Sequence, residues 1–220
     1  MSISIPTLLS FTLLLPLAVE DDVPPTDLPL VFSEDFENGA DRWEVTDPAA
    51  WTHREVDGNH VFGLNKRKSD YQPTVRSPHN IALVKDLQPS EFVMTFRVRS
   101  TKDTGNHRDC CIFFCHQDPT HFYYCHTGAR PDPHSGQIMI VNNAPRLALT
   151  KNANPTPWKN ETWHKVMISR RAKDGLVRVY FDDWKTPYME VADTTFGAGR
   201  IGLGSFDDMN DFDDVRIYGR

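Results

Sequence analysis

The sequence has no surplus of basic residues and no long hydrophobic run, and each absence excludes a class of protein. Its 24 Lys and Arg residues are outnumbered by 30 Asp and Glu residues, which gives a formal net charge of −6. Nucleic-acid-binding surfaces are basic, so we expect no nucleic-acid partner. The longest apolar stretch, residues 5–19, is shorter than the roughly 18 residues that a membrane-spanning helix requires. The composition is that of an ordinary globular protein.

The N-terminal apolar stretch is typical of a secretory signal. Three acidic residues follow it abruptly, and Ala18 offers a small residue at a plausible cleavage point. The usual Lys or Arg before the stretch is missing. We predict a signal peptide at residues 1–18, a Pro-rich linker at 19–29 and one domain at 30–220. The prediction implies a secreted or periplasmic protein with no membrane contact after cleavage, and an uncleaved anchor is the alternative.

Beyond residue 29 the chain shows short β-rich segments separated by turn residues. The apolar residues Phe92, Met94 and Phe96 alternate with their neighbours, which is the period-two pattern of a β-strand. No stretch of 12 residues shows the 3.6-residue period of a helix. Many short strands at near-regular spacing predict an all-β fold, a two-sheet antiparallel sandwich. The predicted strands are 30–36, 51–56, 60–64, 80–86, 91–100, 109–117, 121–127, 137–143, 162–171, 176–182, 199–206 and 212–219.

The C-terminal part carries a resemblance to a known superfamily. Residues 162–219 contain the strand motifs TWHKVMISRR, LVRVYFD, GRIGLGSF and FDDVRIYG. This order of motifs resembles the concanavalin A-like lectin/glucanase (laminin G-like) jelly rolls. The resemblance implies two antiparallel sheets, one of them concave and used for glycans. Because the superfamily holds lectins, carbohydrate-binding modules, glycoside hydrolases and polysaccharide lyases, it indicates a fold and leaves the activity open.

Residues 105–146 contain most of the candidate functional side chains, including five of the nine His residues and all four Cys residues. Two strands joined near Pro119 form a predicted hairpin, and placing Gln117 opposite His121 assigns side chains to faces by parity. The predicted core face carries Cys111, Phe113, Cys115, Tyr123 and Cys125. The predicted open face carries Arg108, Ile112, Phe114, His116, Phe122, Tyr124 and His126. A bulge of one residue would exchange the two sets.

The open face suits a polysaccharide or oligosaccharide, since sugars bind to aromatic rings and to planar donors and acceptors. The leading hypothesis is glycan binding. The alternative is a polysaccharide lyase or glycoside hydrolase that uses the same face, with Tyr124, His126 and Arg108 as catalytic groups. A structural or adhesion domain that binds no sugar is the third possibility. A hydrolase needs a pair of carboxyl groups, and no strand supplies one. The predicted substrate-binding residues are His116, Gln137, Asn143, His134 and Arg146, and Arg146 would reach an acidic sugar.

Metal and cysteine chemistry completes the sequence-based expectations. In related jelly rolls the first and last strands pair around a calcium ion, which implies a structural Ca²⁺ here; no organic cofactor is expected. The predicted ligands are Asp35, Glu37, Asp213 and Asp214. The sequence contains neither an H-x-x-x-H nor a C-x-x-C motif, the spacings that would indicate a zinc site. A cross-strand disulfide, Cys115–Cys125 or Cys111–Cys125, and buried free thiols are both compatible with the spacing.

Overall fold

Fifteen strands form two antiparallel sheets that pack face to face in the computed structural model, which describes residues 23–220. The predicted two-sheet sandwich is therefore confirmed. The predicted signal peptide lies outside the described residues. Within the described part, no helix is long and apolar enough to cross a membrane.

The first sheet, sheet A, has the strand order β13-β12-β11-β6-β15-β4-β3, and β1 pairs with β15 beside this path. The expected pairing of the first and last strands is thus confirmed, with Phe32 opposite Ile217. The strands of sheet A are β1 (Leu30–Glu34), β3 (Trp51–Val56), β4 (Asn59–Leu64), β6 (Phe92–Ser100), β11 (His164–Arg171), β12 (Leu176–Phe181), β13 (Met189–Ala192) and β15 (Asn210–Gly219).

The second sheet, sheet B, has the strand order β10-β9-β8-β7-β14-β5-β2. Its centre is the hairpin of β7 and β8, which carries most of the histidines and cysteines singled out above. The strands of sheet B are β2 (Trp43–Val45), β5 (Asn80–Val84), β7 (Cys111–Asp118), β8 (His121–His126), β9 (Gln137–Asn142), β10 (Leu147–Ala148) and β14 (Arg200–Ser205).

The alternating pattern of β6 shows why the sequence folds into these sheets. Phe92, Met94, Phe96 and Val98 all point into the core between the sheets and are almost completely buried. Burial of each such side chain contributes about 1.5–3 kcal/mol of transfer free energy. Three short strands, β2, β10 and β13, escaped the sequence-based prediction because two to four residues give no readable alternation.

Turn residues fix the register of the hairpins. Between β3 and β4, Asp57 and Gly58 both have positive φ, 55° and 82°. This is the conformation of a two-residue hairpin turn, and an Asp-Gly pair adopts it readily. The turn sets Val56 opposite Asn59 and Trp51 opposite Leu64, so Trp51 and Leu64 both enter the core.

A bulge in β7 changes which side chains reach which face. Four residue steps separate Phe114 from Asp118 in β7, but only two separate their partners Tyr123 and His121 in β8. Cys115 absorbs the excess with a positive φ of 48°. The expected open-face position of Ile112 and Phe114 is therefore wrong: both lie in the central core, whereas Cys111 and Phe113 lie on the outer face. The face assignment of β8 and that of Cys115 and His116 are correct.

Candidate functional site

The centre of the outer face of sheet B is apolar and covered. Its eight fully packed residues are Ile81, Leu83, Cys111, Phe113, Phe122, Tyr124, Met139 and Val141. Tyr71 and Val75, from the segment between β4 and β5, and Phe206, just after β14, pack on top of this cluster. The face is therefore not the open row of rings that the sequence predicts, and ligand access is confined to clefts at its margins.

One such cleft, about 490 Å³ in volume, lies beside the end of β8 and is called the arginine cleft here. It brings together residues from five separate stretches of the chain. Four predicted site residues line it: Arg108, His126, His134 and Arg146. Its other lining residues were not predicted to belong to the site; they are Arg76, Asn106, His107, Asp109, Arg130, Pro131, Asp132, Ser135, Phe206 and Asp207.

Phe206 organises one wall of the arginine cleft. The Arg146 guanidinium lies 4.1 Å from the centre of its ring and the Arg76 guanidinium 5.7 Å away. The His126 ring stacks against the same phenyl group with centroids 5.9 Å apart. Cation–π contacts hold such guanidinium groups in place without neutralising their charge. Phe206 thus fixes two positive charges at the cleft wall.

Three of the four arginines of this cleft lack counter-ions among the described residues. Within residues 23–220, the guanidinium groups of Arg76, Arg130 and Arg146 form no ion pair or hydrogen bond, and Nε and Nη1 of Arg146 are shielded from solvent without a partner. Most other arginines of the described chain are paired, for example Arg178 with Glu190. A guanidinium offers a planar set of donors that matches carboxylate, sulfate or phosphate oxygens. The cleft therefore presents unused donors for an anion.

Asp109 and His126 form the floor of the arginine cleft. The Asp109 carboxylate accepts hydrogen bonds from the Ser205 hydroxyl (2.9 Å) and from the backbone N–H groups of Phe206 (2.8 Å) and Asp207 (3.2 Å). Burial by itself would raise the pKa of this carboxyl, but the adjacent His126 and these N–H donors outweigh burial and lower it. Asp109 is therefore held as a carboxylate 3.7 Å from Nε2 of His126.

The three residues expected to act as catalysts are placed very differently. His126 reaches the cleft, but the Tyr124 side chain is fully buried and its hydroxyl finds no partner among the described residues. Burial raises the pKa of that hydroxyl well above its ordinary value. Arg108 lines the cleft while its guanidinium donates to Asp103 and Asn160. The three groups therefore do not converge on a common point.

The remaining predicted binding residues lie elsewhere. Gln137 is buried and donates to the carbonyls of Asp132 (3.1 Å) and Asn152 (2.8 Å), so it holds the loop beside the cleft in place. The Asn143 amide contacts Nε2 of His121 at 2.9 Å, at the far end of the hairpin. In the loop beside the cleft, the Asp132 carboxylate accepts a hydrogen bond from the His134 backbone N–H at 2.6 Å.

His116 lines a second cleft of about 320 Å³ on the same outer face, near β2 and β5. Its ring stacks on Phe122 with centroids 5.0 Å apart. Burial and the nearby Arg200 guanidinium lower the pKa of this ring to about 4. Arg200 itself pairs with Glu44 at 3.1 Å, so this cleft offers no free positive charge of the kind found in the arginine cleft.

A larger cleft of about 630 Å³ lies on sheet A beside Pro25 and Leu28. Its arginines are already engaged: Arg170 donates to backbone carbonyls, including that of Phe196 at 2.9 Å, and Arg178 pairs with Glu190. Size therefore does not identify the better site, because the larger cleft has fewer uncommitted polar groups.

The four predicted calcium ligands, Asp35, Glu37, Asp213 and Asp214, are each engaged by different partners. Glu37 accepts from the backbone N–H and the ring of His60, both at 2.9 Å. Asp214 pairs with Arg97 at 3.1 Å, and Asp213 accepts from Asn59 at 3.0 Å. Three of them do not gather within metal-ligand range in the described part of the chain. These residues, as placed, do not fit one calcium ion, and calcium stays a prediction.

All four cysteines are buried and free. Cys110, Cys115 and Cys125 belong to the central core, whereas Cys111 lies on the outer face of sheet B. A bridge between Cys111 and Cys125 is therefore wrong, because the two side chains point to opposite faces of the sheet. The structure supports the free-thiol alternative.

Comparison with known proteins identifies the fold. No protein-family model matches the sequence, and no curated protein matches it. Carbohydrate-binding module CBM66 from Bacillus subtilis is 15% identical, with a TM-score of 0.57 over 81% of this chain and 96% of that module. Domain 4 of AbnA, a GH43 extracellular arabinanase from Geobacillus stearothermophilus solved with arabinotriose, is 12% identical, with a TM-score of 0.55 over 87% and 93%.

The lectin UEA-II, solved in complex with galactose, is 13% identical, with a TM-score of 0.52 over 86% of this chain and 98% of the lectin. At such low identities the similarity establishes the architecture alone, because proteins with the same fold can have many different functions. The chain has the β-sandwich shared by lectins and carbohydrate-binding modules, in agreement with the resemblance seen in its strand motifs.

Proposed function

We propose that this chain is a secreted glycan-binding protein that recognises an acidic polysaccharide in the arginine cleft. One observation carries the proposal: Arg76, Arg130 and Arg146 line one cleft with no counter-ion among the described residues, in a chain whose formal net charge is −6. Unpaired positive charge concentrated at one place on an acidic protein attracts an anion. Lectins and carbohydrate-binding modules have the same fold, which supports the proposal that the anion is an acidic group of a glycan.

The geometry favours binding over catalysis. β-Elimination needs an acid and a base at the sugar ring, together with a cation on the uronate carboxylate. Arg146 and His126 would supply the cation and one proton-transfer group. The buried Tyr124 hydroxyl does not reach the cleft, so the second proton-transfer group assigned from the sequence is missing.

Binding to a polysaccharide panel tests the proposal. Alginate and polygalacturonate supply carboxylates, dextran sulfate supplies sulfates, and arabinan and xylan are neutral. We expect the full chain to bind an acidic member, and Arg146→Gln to weaken that affinity by about 10- to 100-fold, since a charge-assisted hydrogen bond contributes about 1.5–3 kcal/mol. Affinity is measured by calorimetry.

Arg178→Gln is the matched control, because it removes an arginine that is already paired with Glu190 on sheet A. Its affinity should equal that of the unaltered protein. Binding to no member of the panel, or equal affinity in both variants, would contradict the proposal. The same samples are assayed for the unsaturated product of elimination, and turnover would favour the lyase alternative.

A further inference from the structure

The floor of the arginine cleft contains a second feature that glycan binding does not explain. Asp109, Cys111 and His126 each offer one ligand atom, and these atoms lie within 4.8 Å of one another. All three side chains are buried. Among residues 23–220 this is the one group of three or more His, Cys, Asp or Glu residues with ligand atoms this close.

The hydrogen bonding of His126 leaves one ring nitrogen without a role. Its Nδ1 lies 3.0 Å from the backbone carbonyl oxygen of His134. A carbonyl oxygen only accepts, so Nδ1 carries the hydrogen. Nε2 is buried and has no hydrogen-bond partner in the described structure, and it faces the Asp109 carboxylate at 3.7 Å. The space between Nε2 and the carboxylate is therefore the place for a positive charge, either a proton on Nε2 or a metal ion bound to both atoms.

The surroundings of the two residues match those of a metal site. A metal-ligating histidine commonly donates its other N–H group to a carbonyl, as Nδ1 of His126 does. Ligating carboxylates are themselves held by hydrogen bonds, as Asp109 is by Ser205 and Phe206. These contacts fix the directions of both ligands before any ion arrives.

Cys111 decides which cation is suitable. Its Sγ lies 3.9 Å from Oδ1 of Asp109. In a tetrahedral zinc site, bond lengths of about 2.0–2.3 Å place ligand atoms about 3.3–3.7 Å apart. The spacings from Asp109 to His126 (3.7 Å) and to Cys111 (3.9 Å) are close to this, and all three ligand atoms lie within 4.8 Å of one another. One sulfur, one nitrogen and one oxygen ligand suit zinc, whereas calcium and magnesium prefer oxygen alone.

We propose that Asp109, Cys111 and His126 form a zinc site at the floor of the arginine cleft. Binding replaces the Cys111 S–H bond with a zinc–sulfur bond and releases that proton to solvent. Because Asp109 and His126 line the cleft, an ion held between them would lie next to it. The site rests on these three residues and stands whether or not the cleft binds a glycan.

Metal titration of the full-length protein tests the site. Protein freed of metal by a chelator under reducing conditions is titrated with Zn²⁺ against a chromophoric chelator, and with Co²⁺. We expect one equivalent of Zn²⁺ to bind, and Co²⁺ to give a thiolate-to-cobalt charge-transfer band and the intense visible bands of four-coordination. The cobalt spectrum of the unaltered protein decides the matter without a variant.

Cys111→Ser should abolish the charge-transfer band and lower the Zn²⁺ affinity by more than about 10-fold. Cys110→Ser is the matched control, since the neighbouring thiol lies in the central core and should leave both readouts unchanged. Circular dichroism verifies that each variant folds. No stoichiometric binding, or binding without the thiolate band, would overturn the proposal and leave a proton as the cation between His126 and Asp109.

Discussion

The outer face of sheet A and the arginine cleft beside sheet B differ in how their arginines are paired. On sheet A, the fully buried Asp211 carboxylate accepts hydrogen bonds from Arg54 and from Arg99, the latter at 2.7 Å, and Arg97 pairs with Asp214. At the edge of sheet B, Arg76 and Arg146 contact Phe206, and no carboxylate of residues 23–220 pairs with either. The arginines of sheet A are thus paired with neighbouring carboxylates, whereas Arg76 and Arg146 in the arginine cleft remain available to bind an anion.

We expect the charges of sheet A to stabilise the fold, and we propose that those of the arginine cleft bind a ligand. A buried ion pair need not add stability compared with an apolar core, but removing one partner leaves an uncompensated charge and is strongly destabilising. Arg76 and Arg130 are exposed. An exposed, unpaired arginine contributes little to folding, so its substitution should change mainly the affinity for a ligand. Substitutions in the two regions should therefore act on different measurements.

The largest effect is expected on sheet A. Asp211→Asn leaves the Arg54 and Arg99 guanidinium groups beside a neutral amide, and we expect the free energy of unfolding to fall by about 3 kcal/mol. Urea denaturation measures the change. Affinity for an acidic glycan, measured on the folded fraction, should not change. A variant as stable as the unaltered protein would show that the Asp211 network is not structural.

A smaller, pH-dependent effect is expected at His116. Its pKa is lowered to about 4 in the folded state from an ordinary value of 6.5, so acidification protonates the unfolded chain first. Stability present above about pH 6.5 is then lost as the pH falls toward 4, with a loss of about 2 kcal/mol between about pH 7.5 and 5. Denaturation at several pH values should show this loss in the unaltered protein.

His116→Phe keeps a ring stacked on Phe122 and removes the titrating group. The difference in unfolding free energy between this variant and the unaltered protein should change with pH by the amount given above. A difference that is constant with pH would show that the His116 ring is protonated equally in both states.

The smallest effects are expected at the rim of the arginine cleft. Arg76 lies farther from Phe206 than Arg146 does, and the Arg130 side chain is exposed. Arg76→Gln and Arg130→Gln should each lower affinity for an acidic glycan by about 2- to 5-fold, within the range of exposed ionic contacts. Salt should weaken binding further. A larger loss of affinity in either variant would show that the centre of the binding site does not lie at Arg146.

Strand positions and the sandwich followed from local patterns, since alternation and turn residues act over a few neighbouring positions. The face assignment failed in β7 for an equally physical reason. The positive φ of Cys115 accommodates extra residues opposite Tyr123 and His121, and nothing in the local alternation indicates such a bulge. The tertiary packing of Phe114 against Tyr123 in the core compensates for it.

The candidate site was only partly predictable. Arg146, His126 and His134 were identified from the residues around the hairpin, and all three line the arginine cleft. Arg76 and Phe206 were missed because they come from distant segments with no functional pattern of their own. Tyr124 was placed on the correct face, but the segment carrying Tyr71 and Val75 buries it.

The sequence by itself determined the two-sheet architecture, because period-two alternation and turn chemistry are interactions between near neighbours in the chain. Only the tertiary structure decided which arginines keep an unpaired charge and that Asp109 and Cys111 face His126. Ion pairing and ligand geometry depend on distances between residues far apart in the chain, and those distances exist only once the sheets, the bulge and the covering segment are in place.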